Sequence, residues 1–291
     1  MKALLNKLYG GIRFSWPLLI AYAVGAAVLT AVFLIFPVFE GTSFNRMGVY
    51  LEAWIFLAVL IMANCKTPLE SALKTFVFFL ISQPLIYLLQ VPFSSMGWGL
   101  FGFYKTWFIL TLLTFPMAYV GWYITKKNWL SLLILAPVLA FLGTVAAEAL
   151  RETVLSFPRL LLTALFCLGQ ILLYLYLFTS DPRQKLAGLL IALAGAAFIL
   201  LTTSAVDINS AMFLPDDPVL TEAAAVTVDD GQIAEVSVES TGQDSMVRIR
   251  SSRLGTTAMT IQDGEAVYRY DLEIYKDNEG HTQIRITPRE D

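Results

Sequence analysis

Seven long apolar stretches fill the first two thirds of this chain and constrain its fold more than any motif does. A helix rising 1.5 Å per residue needs about 20 apolar residues to cross a hydrocarbon core of about 30 Å. Runs at 14–36, 48–64, 70–92, 107–124, 129–148, 159–179 and 186–206 meet or approach that length. Of 291 residues 57% are hydrophobic and 15% charged, with a mean hydropathy of +0.65. A water-surrounded domain carries roughly a quarter of its residues as charges. The expected partner of this surface is therefore a lipid bilayer. The first run follows Lys2, Lys7 and Arg13 as a signal peptide would. It is too long for that, because a signal core spans about 7 to 15 residues, and it reads as a retained first helix.

Charge divides the chain in two. Residues 1–206 hold 13 Lys and Arg against 6 Asp and Glu, whereas residues 207–291 hold 7 against 17. The expected organisation is an α-helical polytopic membrane bundle over 1–206, a linker over 207–218 and a small all-β sandwich-like domain over 219–291. Tryptophan prefers the membrane interface, and Trp16, Trp54, Trp107, Trp122 and Trp129 all fall near proposed helix ends, with Trp98 in a connection.

Lys and Arg in short connections concentrate on the cytoplasmic side. A cytoplasmic N-terminus places Lys2, Lys7, Arg13, Lys66, Lys74, Lys126, Lys127, Arg183 and Lys185 inside, and Arg46, Lys105, Arg151 and Arg159 outside. Nine against four predicts that orientation in a bacterial-type plasma membrane, and an odd number of crossings then exports the acidic tail. The inner turn between the second and third helices contains "TPLE", with Thr67 as cap, Pro68 in the first turn and Glu70 placed to reach back. Asn64 and Cys65 beside it have no local explanation in the sequence.

The tail changes to a period of two. In "VYRYDLEIY" Tyr268, Tyr270, Leu272 and Ile274 share one face, with Arg269, Asp271 and Glu273 on the other, and "AAVTV", "AEVSVE", "MVRIR", "TAMTI" and "HTQIRIT" repeat the pattern between turns. Six or seven short strands imply an antiparallel sandwich. The stretch "SSRLGTTAMTIQDGEAVYRYDLEIY" resembles the late strands of bacterial immunoglobulin-like domains, with Gly255, Thr256 and Thr257 preceding an alternating strand and a closing hairpin. The cysteine pair and core tryptophan of antibody domains are not there. The resemblance covers the final quarter of the chain and implies a fold and an adhesive or docking use, with an envelope protein, a glycan or a partner subunit as the contact.

Residues able to carry chemistry are few. The single histidine, His281, lies in the tail, so reactions needing an imidazole near the bilayer lose their reagent. No metal-ligand spacing, phosphate-binding glycine loop or basic groove is present, which points away from metal, nucleotide cofactors and nucleic acid. Cys167 reads as a small packing residue, and Cys65 lies at the other face, so the two cannot meet. No ionisable residue falls at a predicted midplane, where proton and ion pathways keep theirs.

Gln83, beside Pro84, and Gln170 approach the centre, where they either hold helices together by hydrogen bonds or line a polar pocket at a broken helix. Pro116 and Pro137 add further expected kinks. On the outer side Glu52, Glu148, Arg151, Glu152 and Arg159 either pair with one another or recognise a polar headgroup. The aromatic connection from Val91 to Trp107 lies in the interface or covers the outer mouth of the bundle. Small residues at fourfold spacing, Gly188, Ala192 and Ala196 with Ala21 and Gly25, suit close helix contact within the bundle or in a homo- or hetero-oligomer.

Three readings follow. The first is a non-enzymatic multi-pass protein anchoring an exported immunoglobulin-like domain. The second is a carrier or substrate-binding membrane subunit for a neutral or lipid-like solute, using Gln83 and Gln170. The third is a lipid-modifying enzyme with Glu52 or Glu148 as acid or base beside Arg151 or Arg159.

Overall fold

A computed structural model describes the chain except for residues 1, 156, 203–205, 207, 216–217, 219, 222–223, 241–244, 278–280 and 290–291. It divides into two compact units, one of residues 1–153 with 158–199, the other of residues 200–291 with 154–157.

The first unit is helical: α1 Lys2–Leu8, α2 Trp16–Ile35, α3 Ser43–Val49, α4 Leu51–Ala63, α5 Pro68–Gln90, α6 Phe101–Gly121, α7 Trp129–Leu155, α8 Leu161–Phe178 and α9 Pro182–Thr202. Six of these helices, some extended by 3-10 turns, are long and apolar enough to cross a membrane. The stretch expected as a single helix over 48–64 is instead the pair α3 and α4, bent by 63° at Tyr50. Counting that pair as one span gives seven.

Helix α5 starts as its sequence predicts. Thr67 caps it by accepting from the Glu70 amide at 3.1 Å, and the Glu70 carboxylate reaches back to the Lys66 amide at 2.7 Å. The helix then runs through Pro84 to Gln90 as one continuous element, so a proline inside the run does not break it. Helix α6 begins at Phe101 rather than 107 and absorbs Lys105; the rest of the aromatic connection forms two short 3-10 turns, Val91–Phe93 and Gly97–Leu100.

Two apolar cores hold the helices. Leu19, Ala23 and Ala27 of α2 pack with Trp54 and Ile61 of α4 and Phe78 of α5. Leu135, Leu139 and Leu142 of α7 pack with Cys167, Ile171 and Tyr174 of α8 and Ala192 of α9. Trp54, in the first turn of α4, is 3% exposed, and its indole donates to the Gly48 carbonyl at 3.3 Å, across the bend.

Glycine decides how closely α7 and α9 approach. A Cβ on Gly143 would overlap the Ala192 carbonyl, and one on Gly195 the Ala140 carbonyl. Gly188 and Ala192 make their close contact inside the bundle, whereas Ala21 and Gly25 face outward, which leaves them only the expected alternative of contact with another subunit, and nothing lies within 4 Å of a Cβ at Gly25. The inward stripe of α2 is Leu19, Ala23, Ala27 and Ala31, two residues out of phase with Ala21 and Gly25.

The second unit contains two antiparallel sheets, β1-β4-β3 and β2-β5-β6-β7. Its strands are β1 Ile208–Phe213, β2 Ala225–Val228, β3 Glu235–Ser240, β4 Ser245–Ser251, β5 Gly255–Asp263, β6 Ala266–Lys276 and β7 Thr282–Pro288. The alternation in the sequence places Met259, Ile261, Tyr270, Leu272 and Ile274 in the core, opposite Val247 and Ile249 of the other sheet.

Strand β1 lies where a linker was expected, paired with β4 from Ile208 opposite Ser251 to Phe213 opposite Met246. Strands β5 and β6 are neighbours in one sheet, joined across Gly264 at φ +60°, whereas immunoglobulin domains place the fifth and sixth strands in opposite sheets. The likeness therefore extends to paired antiparallel sheets and the closing hairpins, and not to strand order.

Candidate functional site

The polar residues predicted to gather on one side are organised by a residue the sequence reading left out of the site, Arg46 of α3. Its Nη2 lies 2.7 Å from Glu148 Oε2 of α7, its Nε lies 3.9 Å from Glu52 Oε1 of α4, and its guanidinium sits 4.2 Å over the Tyr50 ring. The bend between α3 and α4 makes this possible, because it turns the α3 face toward the first turn of α4 instead of stacking it above.

Glu52 is fully buried and neither carboxylate oxygen has a hydrogen-bond donor. Glu148 is 39% exposed, so it is the rim of the cluster and Glu52 its floor. Gln170 of α8 donates to the Glu52 carbonyl at 3.2 Å and accepts from the Tyr174 hydroxyl at 2.8 Å, tying α8 to α4.

Arg159 does not join the carboxylates. Its Nε donates to the Gly41 carbonyl at 2.7 Å, and its own carbonyl accepts from Ser43 Oγ at 3.3 Å. Ser43 Oγ also accepts from the Thr163 amide at 3.1 Å, so a side chain from α3 satisfies a first-turn amide of α8, where the local cap residue Leu160 has no acceptor. Arg151 stands three residues beyond Glu148 on α7. Arg46, rather than Arg159, is thus the cation that meets Glu148 and Glu52.

Gln83 and Gln170 play different parts. Gln170 makes the cross-helix bonds described above. Gln83 is 3% exposed, its Nε2 has no partner, and it lines a cavity of about 320 Å³. A larger, half-open cleft of about 660 Å³ lies among α4, α5, α6 and α7. Leu51, Ala58 and Met62 line it from α4, Trp107 and Gly121 from α6, and Val138 from α7. No charged residue is among its walls, and Pro116 and Pro137 both face it.

Asn64, unexplained in sequence, is a structural tie. Its Oδ1 accepts from the Gly10 and Ile12 amides at 2.9 and 2.8 Å, and its Nδ2 donates to the Leu8 and Leu60 carbonyls at 2.6 and 2.8 Å. It pins the segment after α1 to the end of α4. Cys65 next to it is buried, which pushes its thiol up to about 12 and removes it as a nucleophile near neutral pH. Cys167 is fully buried in the α7–α8 core.

His281 is 61% exposed, 3.8 Å from the Asp277 carboxylate. Among the described residues no three His, Cys, Asp or Glu side chains come together as metal ligands. Comparison with known proteins finds no matching family model, no similar curated protein and no solved structure of similar fold.

Proposed function

We propose that this chain is a multi-pass membrane protein, N-terminus cytoplasmic, whose helical unit holds a lipid-like molecule in the cleft among α4, α5, α6 and α7. The cleft carries this reading. Its wall on α4 runs from Leu51 to Met62, which at 1.5 Å per residue is about 16 Å, close to the acyl depth of one leaflet. Its volume of about 660 Å³ falls in the range of small-molecule sites, roughly 300 to 1,000 Å³. Walls without charge and with few hydroxyls, Thr75, Thr111 and Thr114, suit a hydrocarbon chain better than a strongly hydrated solute.

The test is a photoactivatable acyl chain crosslinked to the protein in vesicles and mapped by peptide. Label concentrated between Leu51 and Met62 and between Trp107 and Gly121 supports the reading. Label spread equally over outward faces such as Leu193 and Leu201 of α9 reduces the cleft to ordinary lipid contact.

A second reading, display of the tail, is favoured by the tail's own apolar core. In this reading the β unit stands on the extracytoplasmic side and meets an envelope protein or glycan. A C-terminal alkaline phosphatase fusion should be active; activity of a reporter that works only in the cytoplasm would invert the orientation.

A further inference from the structure

The smaller cavity specifies what the polar end of such a ligand must be. It is lined by Gln83, Ile86 and Gln90 of α5, Val49 of α3, and Phe103 and Trp107 of α6, and none of its lining residues carries a charge. Trp107 also lines the large cleft, while Val49 and Leu51, on either side of the bend at Tyr50, each face one of the two cavities.

Two amide side chains, those of Gln83 and Gln90, line this space. Gln90 Nε2 spends one of its two N–H groups on the Ile86 carbonyl at 3.1 Å. Gln83 Nε2 is buried without an acceptor, a situation that is unfavourable and is relieved when a ligand supplies one. An uncharged cavity whose polar lining includes two amides with N–H groups to spare suits a carbonyl oxygen. It does not suit a phosphate or carboxylate, because no Lys or Arg lines it, and Arg46 is already engaged by Glu148 and Glu52.

We infer that the two cavities together take a glycerolipid with an uncharged head, one acyl chain lying in the cleft and its ester carbonyl accepting a hydrogen bond from Gln83 Nε2. This rests on the cleft being an acyl-chain site. Trp107 then stands at the junction of head and chain, where an indole is at home. Gln83 is the specificity residue and the cleft supplies the affinity.

The experiment offers the purified full-length protein an equimolar mixture of a diacylglycerol and its diether analogue, and weighs the retained lipid by native mass spectrometry. The two differ only in the carbonyl oxygens. The wild-type protein is expected to retain the diester over the diether roughly five-fold, the worth of one neutral hydrogen bond. Gln83→Leu should retain both equally, and Ala58→Phe, which fills the cleft, should retain neither. Equal retention by wild type, or an unchanged preference in Gln83→Leu, overturns the ester assignment while the acyl-chain reading stands. Failure of wild type to retain either lipid overturns both, and the wild-type comparison requires no variant to fold.

Discussion

The two units of this chain place apolar side chains in opposite ways. Helices α2, α5, α6, α8 and α9 carry large hydrophobic residues outward, such as Leu29, Ile109, Leu172 and Leu193, while their interiors mix small residues and a few polar ties with large side chains such as Leu19, Phe78 and Tyr174. The β unit does the reverse. Among the described residues from 206 onward, the large hydrophobics that stand exposed are Phe213 and Val267, and the core there is a layer of Met259, Ile261, Tyr270, Leu272 and Ile274 against Val247 and Ile249.

The difference teaches what each unit can spend on specificity. An apolar surround supplies little drive for helices to associate, so backbone approach and buried polar bonds must fix their arrangement. In the β unit burial itself supplies the drive, at about 25 cal/mol per Å².

That comparison breaks most sharply at α7 and α9. Gly143→Leu should abolish the folded helical unit, because a side chain there meets the Ala192 backbone and cannot be accommodated by a rotamer change, whereas Gly25→Leu should leave the melting temperature in detergent unchanged. Equal melting temperatures for the two variants would mean that glycine approach does not hold these helices.

Arg46→Ala should cost about 3–5 kcal/mol, since it leaves Glu52 buried and uncompensated. Adding Glu52→Gln should restore part of the loss. A double variant no more stable than the single one would show that the cluster is not coupled.

In the β unit the expectation is a plain cavity cost. Leu272→Ala should destabilise by about 2–5 kcal/mol, read as protease sensitivity of the tail in the full chain, while Val267→Ala on the exposed side should change it by less than about 0.5 kcal/mol.

Asn64→Ala should cost about 1–3 kcal/mol. Its particular signature is local, with faster trypsin cleavage after Lys7 and the remaining helices unaffected. Protection at Lys7 that survives the change would assign the tie elsewhere.

The smallest effect is at Asp263. Its carboxylate accepts from the Thr221 hydroxyl and, at 2.8 Å, from the Thr221 amide, which holds its pKa below the usual aspartate value of about 3.9. A depressed pKa adds stability that is present above the unfolded value and lost as pH falls through the folded one. Wild type should therefore lose slightly more tail stability than Asp263→Asn on acidification below about pH 4. Identical acid profiles would remove that contribution.

Much of this was legible residue by residue. Thr67, Pro68 and Glu70 announce the start of α5 because capping is a local bargain among neighbours in sequence. The alternation from Tyr268 to Ile274 announces β6 because a strand's two faces are read from its own period. The candidate site was legible only in part. Glu52, Glu148 and Gln170 stood out as polar residues in apolar runs, but Arg46 looked like an ordinary loop cation, and the signal that could have promoted it was the shortness of the second run. A run too short to span suggests a bend, and a bend turns flanking residues inward.

Strand β1 was missed because Ile208 to Phe213 has only a weak alternation, and its pairing partner lies about forty residues later. Asn64 was visible but mute, since three of its four bonds reach back to a segment more than fifty residues away.

The chain's own order of residues determined where most helices and strands lie, how apolar each segment is, and that an acidic all-β unit follows a helical one. Those properties depend on neighbours within a few residues, which a linear reading samples fully. Tertiary structure alone decided the 63° bend, the Arg46 cluster, the phase of the α2 stripe and the two cavities. Each of these depends on how close two distant backbones come, a distance set by the smallest side chains between them and written in neither segment alone.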